Sequence, residues 1–194
     1  MKILFAVLSV IIGLSAFGTY IKDIFLKRTK PHAYTWLIWA LTQGTATAGL
    51  LYGNGGLGAI ELVIGTMLVL VVFVFSLRHG TKNITKSDTA VLILALLAIF
   101  VWWQLHNPVA AVLMVSAIDA FGYIPSFRKS WQDPWSETLL SWGLFSVGNL
   151  CSLAALTEYN LLTVTYLITI SSFNIMLMIL CLLRRRKVAR LITP

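Results

Sequence analysis

The chain has 194 residues, of which 58% are hydrophobic and 11% charged, with a formal net charge of +8. A soluble domain is about 45–50% apolar and about 25% charged, so a chain this apolar exceeds what a single core could shield from water, and a soluble domain is excluded. The Lys and Arg residues are too sparse to form a groove for nucleic acid; they sit between long apolar runs and read as topology markers.

A helix needs about 20 apolar residues to cross about 30 Å of hydrocarbon. Seven segments meet or approach that length: residues 3–26, 33–52, 56–77, 89–105, 108–127, 137–156 and 160–183. The pattern predicts an all-α membrane protein with seven transmembrane helices. The first segment also fits a signal peptide loosely, with Lys2 before an apolar stretch and Ala16-Phe17-Gly18 after it. Charge placement favours a retained helix, because cleavage there would leave Lys22, Lys27, Arg28 and Lys30 at an external N-terminus.

The second segment carries Trp36, Trp39 and Gln43, the last about halfway along. Trp36 reads as an anchor in the interfacial aromatic belt, as do Trp131 and Trp135. Small residues recur there at helical spacing, Ala40, Gly44 and Ala48 in one row and Thr45, Gly49 and Gly53 in another, which suits close helix packing. In the third segment Glu61 lies about one turn from the end, so a site role and a plain interfacial role stand side by side. The fourth segment is the shortest.

The fifth places Asp119 near mid-depth, with no basic residue at similar depth to pair with it. A charge in the middle of a bilayer costs about 2.5–3.5 kcal/mol on insertion scales, and intramembrane acids mark functional sites by default. Asp119 is therefore a candidate proton-coupling or substrate-binding carboxylate. Pro125, six residues on, frees a carbonyl one turn earlier and could be a hinge or a simple terminator. The sixth segment carries Trp142 and Asn149, and the seventh carries Asn174. Asp119, Asn149, Asn174 and Gln43 come from four helices at similar depth; they either line one central cavity or act as interhelical glue. Arg184, Arg185, Arg186 and Lys187 follow and suit anionic lipid at the membrane surface. Cys151 and Cys181 read as small buried hydrophobes, and His32, His79 and His106 fall at segment ends, where no role is assigned. No spacing suggests a metal, and no motif asks for a cofactor.

If seven helices alternate, every Lys and Arg except Lys2 falls on one side: the cluster Lys22 to Lys30, then Arg78, Lys82 and Lys86, then Arg128 and Lys129, then Arg184 to Lys187 and Arg190. The positive-inside rule puts that side in the cytoplasm and the N-terminus outside. The expected location is a bacterial inner membrane, with lipid and a small solute as partners and homo-oligomerisation left open.

Residues 20–41 align without gaps to residues 123–144. Identities fall at Tyr20/Tyr123, Ile21/Ile124, Pro31/Pro134, Thr35/Thr138, Leu37/Leu140, Trp39/Trp142 and Leu41/Leu144. The match predicts a 3+1+3 parallel repeat: residues 1–80 as a first triple-helix bundle, 81–107 as a linker helix, 108–187 as a second bundle and 188–194 as a tail. Two bundles related by an axis along the membrane normal are one of the symmetries of secondary transporters. Trp39 and Trp142 occupy equivalent places in it; they could form paired gates, stack on a sugar ring or belong to the aromatic belt.

The segment Tyr123-Ile124-Pro125-Ser126-Phe127-Arg128-Lys129-Ser130, followed by Ser136-Glu137-Thr138-Leu139-Leu140-Ser141-Trp142, resembles the PQ-loop motif. With the 3+1+3 plan, the chain is similar to the PQ-loop/SWEET group of membrane proteins. Here Pro125-Ser126 stands where that group has Pro-Gln, and the first half has Lys22-Asp23 without proline. The resemblance implies a transporter of a small polar solute, sugar or amino-acid-like, working by alternating access. A non-transporting receptor or scaffold, like the KDEL receptor of similar helical architecture, is the alternative. No HExxH, Ser–His–Asp set or phosphate loop points to an enzyme.

Overall fold

The structure, a computed structural model, describes residues 1–81, 84–105 and 107–189; Lys82, His106 and Arg190 lie outside the described residues. Among the described residues the chain forms seven α-helices and two short 3-10 turns. They are α1 (Lys2–Phe25), α2 (Ala33–Tyr52), α3 (Ile60–His79), α4 (Lys86–Leu105), α5 (Pro108–Gln132), α6 (Leu139–Ala155) and α7 (Leu161–Arg185), with 3-10 turns at Gly56–Ala59 and Pro134–Ser136.

The helix ends follow from local chemistry. Asn107 accepts hydrogen bonds from the Val109 and Ala110 amides, and Pro108 sits at the first helical position, where a missing N–H costs nothing. Asn160 and Thr163 form a reciprocal capping box at the start of α7. The α2–α3 connection turns within Gly53-Asn54-Gly55, and Gly56 has φ +59°, where a Cβ would also lie 2.1 Å from the Thr157 hydroxyl oxygen. That position demands glycine.

Two boundaries differ from the sequence reading. The fifth helix does not stop at residue 127; it runs on to Gln132 with Pro125 buried inside it. The terminator reading of Pro125 is thus overturned: an internal proline removes one backbone hydrogen bond, and the buried packing of the surrounding turns carries the helix through. The sixth helix begins at Leu139, because Glu137 and Thr138 are extended after the Pro134–Ser136 turn.

Among the described residues, four helical stretches are long and apolar enough to cross a membrane: Lys2–Phe25, Gly56–His79, Pro108–Gln132 and Leu161–Arg185. The helix at Leu139–Ala155 is apolar but shorter. Large apolar side chains face outward along these elements, among them Val7, Ile11 and Leu14 on α1 and Met67, Leu70 and Val74 on α3. Polar side chains are inside instead: Ser9, Thr42, Ser116, Asp119, Asn149 and Ser152 are all buried. Such an inversion suits lipid, where protein alone can satisfy polar groups.

In the packing, α3 lies between α1 and α2, and α7 lies between α5 and α6. Across the middle, α1 runs along α6 and α2 along α5, while α4 packs on α5 and α2. The α1–α6 contact is extensive, so the first helix is a structural wall. The interior has an aromatic layer toward the Pro31 and Pro134 loops, formed by Phe17, Tyr20, Trp36, Trp39, Tyr123 and Trp142. An aliphatic layer of Leu50, Ala59, Leu62, Val112, Leu156 and Leu167 lies toward the Gly53–Gly55 turn.

Of the small residues on α2, Gly49 and Gly53 permit close approach. A Cβ on Gly49 would lie 2.4 Å from Val112 Cγ2 on α5, whereas one on Gly44 would meet nothing nearer than 3.8 Å. Gly49→Val is therefore expected to destabilise the α2–α5 contact by about 1–3 kcal/mol. Gly44→Ala should be neutral or stabilising by less than about 1 kcal/mol. Thermal unfolding of the two purified variants in detergent checks the difference; equal melting temperatures would contradict the packing.

Candidate functional site

Between the aromatic and aliphatic layers lies a small cavity of about 50 Å³. Gln43, Asp119, Asn149, Asn174, Trp39 and Trp142 all line it, and so does Glu61. The four polar residues at similar depth in the sequence do converge on one space.

Asp119 on α5 is 1% exposed. Its Oδ1 accepts from the Thr42 hydroxyl of α2 and, at 3.2 Å, from the Tyr166 hydroxyl of α7. Thr42 also lies 2.9 Å from the Ile38 carbonyl, the usual back-bond partner of a helical threonine, but its single proton goes to Asp119. One carboxylate oxygen thus joins three helices, two from one half of the chain and one from the other. The second oxygen, Oδ2, makes no hydrogen bond among the described residues.

Asn174 Oδ1 accepts from the Tyr123 hydroxyl at 2.6 Å, which orients the amide. Gln43 Nε2 lies 3.5 Å from the Leu62 carbonyl, a long contact that leaves the side chain loosely held. Asn149 is buried, and its amide makes no hydrogen bond among the described residues. Glu61 accepts from Ser152 of α6 at 3.2 Å through Oε2. At 7% exposure it does not reach out to the membrane surface, so the interfacial reading gives way to a place in the cavity wall.

The aromatic layer closes the other side. Trp39 and Tyr123 rings are 4.6 Å apart between centroids, Tyr20 and Trp142 6.0 Å, and Trp39 and Trp142 5.8 Å. Trp39 donates to the Asp119 carbonyl at 3.4 Å and Trp142 to Glu137 Oε2 at 3.0 Å. The belt reading fails for Trp39, Trp142 and Trp36, which are 5%, 2% and 2% exposed and packed on one another. Their rings lie on the inward azimuth of α2 and α6, which depth alone does not reveal. Trp131 is 57% exposed, as an interfacial anchor would be, with the Arg184 guanidinium 4.4 Å from its ring. Arg185 lies similarly over Trp135 at 4.6 Å. Arg184 therefore docks the end of α7 to the end of α5 and Arg185 docks it to the Pro134–Ser136 turn, while Arg186 and Lys187 remain exposed. Pro125 is buried in α5 but does not line the cavity.

Sequence reasoning missed Thr42, Tyr123 and Tyr166 as partners. The usable signal was a tyrosine inside an apolar span, away from the interfacial belt. Two buried acids near the basic loops were missed as well. Glu137 is 3% exposed and pairs with Lys129. Asp88, fully buried at the start of α4, takes a bidentate pair from Arg128 at 2.9 and 2.8 Å, and His32 Nε2 lies 3.4 Å away. His32, which the sequence left without a role, is itself only 2% exposed. Among the described residues no cluster of His, Cys, Asp and Glu could hold a metal ion.

No protein-family model, no curated protein and no solved structure matches the chain.

Burial pushes the Asp88 carboxyl up, but hydrogen bonds from Arg128 and Thr85, with the Arg128 charge, outweigh it and hold the pKa below its ordinary value. A depressed carboxylate stabilises the fold above its unfolded pKa of about 4 and loses that contribution as pH falls through the folded value. Asp88→Asn should thus lower stability at neutral pH, by more than the about 1 kcal/mol of an exposed pair and less than the about 3–5 kcal/mol of a fully buried one. Melting temperatures of the two proteins should stay separated from pH 7 down to about 4 and converge below it. A gap that persists unchanged at lower pH would contradict the assignment.

Proposed function

We propose that the protein is a membrane transporter of a small polar solute, working by alternating access between two triple-helix bundles joined by α4. The observation that carries this reading is the cavity at the bundle interface, apolar over most of its wall but lined by Gln43, Glu61, Asp119, Asn149 and Asn174, to which α1, α2, α3, α5, α6 and α7 contribute, bounded by an aromatic layer on one side and an aliphatic layer on the other. Empty polar space inside an apolar bundle is costly unless it serves a ligand or water.

The helix neighbourhoods support the repeat. Exchanging α1, α2 and α3 for α5, α6 and α7 leaves the packing pattern unchanged: the third helix lies between the first two, and each first helix runs along the other bundle's second. The ring contacts exchange in the same way, Tyr20 on Trp142 and Tyr123 on Trp39. This two-fold relation favours rocking of one bundle against the other about a central site. The distribution of Lys and Arg supports an external N-terminus and puts the aromatic layer on the cytoplasmic side, as one gate. The resemblance to the PQ-loop/SWEET group points the same way. Asp119 is the coupling or binding carboxylate in this reading, held by Thr42 and Tyr166 from opposite bundles.

Reconstitution into proteoliposomes, with a panel of labelled solutes and with or without a proton gradient, tests the proposal. Saturable uptake by the wild-type protein is expected. Asp119→Asn should reduce it at least tenfold or abolish its response to the gradient. Unchanged uptake would remove Asp119 from the mechanism. Binding of a solute without flux would favour the receptor alternative.

A further inference from the structure

Among the described residues, the cavity wall holds two carboxylates, Asp119 and Glu61, and no Lys, Arg or His. A pair of acids enclosed by apolar helices has no protein cation to balance it, so charge balance must come from protons or from what enters. The remaining polar atoms are biased in the same direction. The hydroxyl of Tyr166 is spent on Asp119 and that of Tyr123 on Asn174. The indole N–H of Trp39 points to a backbone carbonyl and that of Trp142 to Glu137. The aromatic residues therefore offer the cavity ring surface and few donors. Asp119 Oδ2 and Glu61 Oε1 have no hydrogen-bond partner among the described residues. Carboxylate oxygens beside tryptophan and tyrosine rings form a surface that attracts cations twice over, through charge and through the ring quadrupole.

We propose that the solute class this cavity selects is a small organic cation, an amine or quaternary ammonium group on an uncharged body. A solute carboxylate would find no counter-ion here, and an acidic solute would meet two like charges. A neutral polyol could hydrogen-bond the free carboxylate oxygens but would bring no positive charge to balance them. The assignment rests on the transport reading for its biological meaning, but the binding chemistry stands on the cavity alone.

The test is equilibrium binding to the full chain in lipid nanodiscs, read by the intrinsic fluorescence of the cavity tryptophans and by calorimetry. The probes are 2-phenylethylamine, cationic at pH 7, and its neutral isostere 2-phenylethanol. The amine should bind at least tenfold tighter to the wild-type protein. Asp119→Asn and Glu61→Gln, compared only where they remain monodisperse and unfold cooperatively, should each reduce that preference several-fold. Equal affinity for the two probes in the wild-type protein, or binding of neither at millimolar concentration, overturns the proposal without reference to any variant. Uptake measured in parallel separates the two readings. Flux of a neutral or anionic solute that the amine does not inhibit sinks the cation assignment and leaves transport standing. Amine-selective binding with no flux of any solute supports the cation site and sinks transport.

Discussion

A carboxylate in the middle of an apolar bundle has to be met from within the protein, and most of the interior is arranged around that requirement. Asp119 is reached by Thr42 from α2 and Tyr166 from α7. Because α2 belongs to the first three helices and α5 and α7 to the last three, the bond crosses the interface between them. Lipid could not replace these partners: it offers no hydrogen bonds, and a hydroxyl at the wrong height would leave a buried donor and a buried acceptor both unpaired. The register of α2 against α5 is therefore tied to one oxygen atom. The close approach of Gly49 to Val112, two turns further along, fits the same register.

The aromatic layer is the second consequence. Seven rings, those of Phe17, Tyr20, Trp36, Trp39, Tyr123, Trp142 and Phe145, meet on the side of the cavity toward the Pro31 and Pro134 loops, mostly edge-on or tilted. Edge-to-face pairs add about 0.5–1.5 kcal/mol each beyond area burial. Among the described residues, directional bonds join the layer across the two halves at the Trp39 contact to the Asp119 backbone and between Tyr20 and Glu137. A layer of this kind is cohesive through its ring contacts. Next to it, several loop and helix-end cations are paired. Lys129 pairs with Glu137, Arg128 with Asp88, and Arg184 and Arg185 sit over tryptophan rings. The basic loops are thus held to the bundle by charge, on the side where lipid headgroups and water screen the ends of the long side chains.

How much of this was legible beforehand depends on the kind of information each residue carries. Gln43, Asp119, Asn149 and Asn174 could be grouped because depth along a helix is a linear function of position, at about 1.5 Å per residue. Their common cavity follows once the helices stand side by side. Trp36, Trp39 and Trp142 were harder, since an interfacial belt and a buried layer lie at nearly the same depth and differ only in azimuth. Glu61 was ambiguous for the same reason: its depth allowed the surface, and its direction toward Ser152 of α6 did not. Asp88 and His32 are 56 positions apart, and nothing local links them.

By itself, then, the sequence determined the class of protein, the helices, the side that carries the cations and the depth of each polar residue. These are one-dimensional quantities, set by hydrophobicity, helical rise and charge. The tertiary structure alone decided which face of each helix turns inward, that α5 runs through Pro125, that α3 and α7 each stand between two neighbours, and which hydroxyls meet Asp119. Those depend on contacts between residues distant in the chain, and in lipid such contacts are chosen by close packing and by the need to pair every buried polar atom, neither of which leaves a local signature.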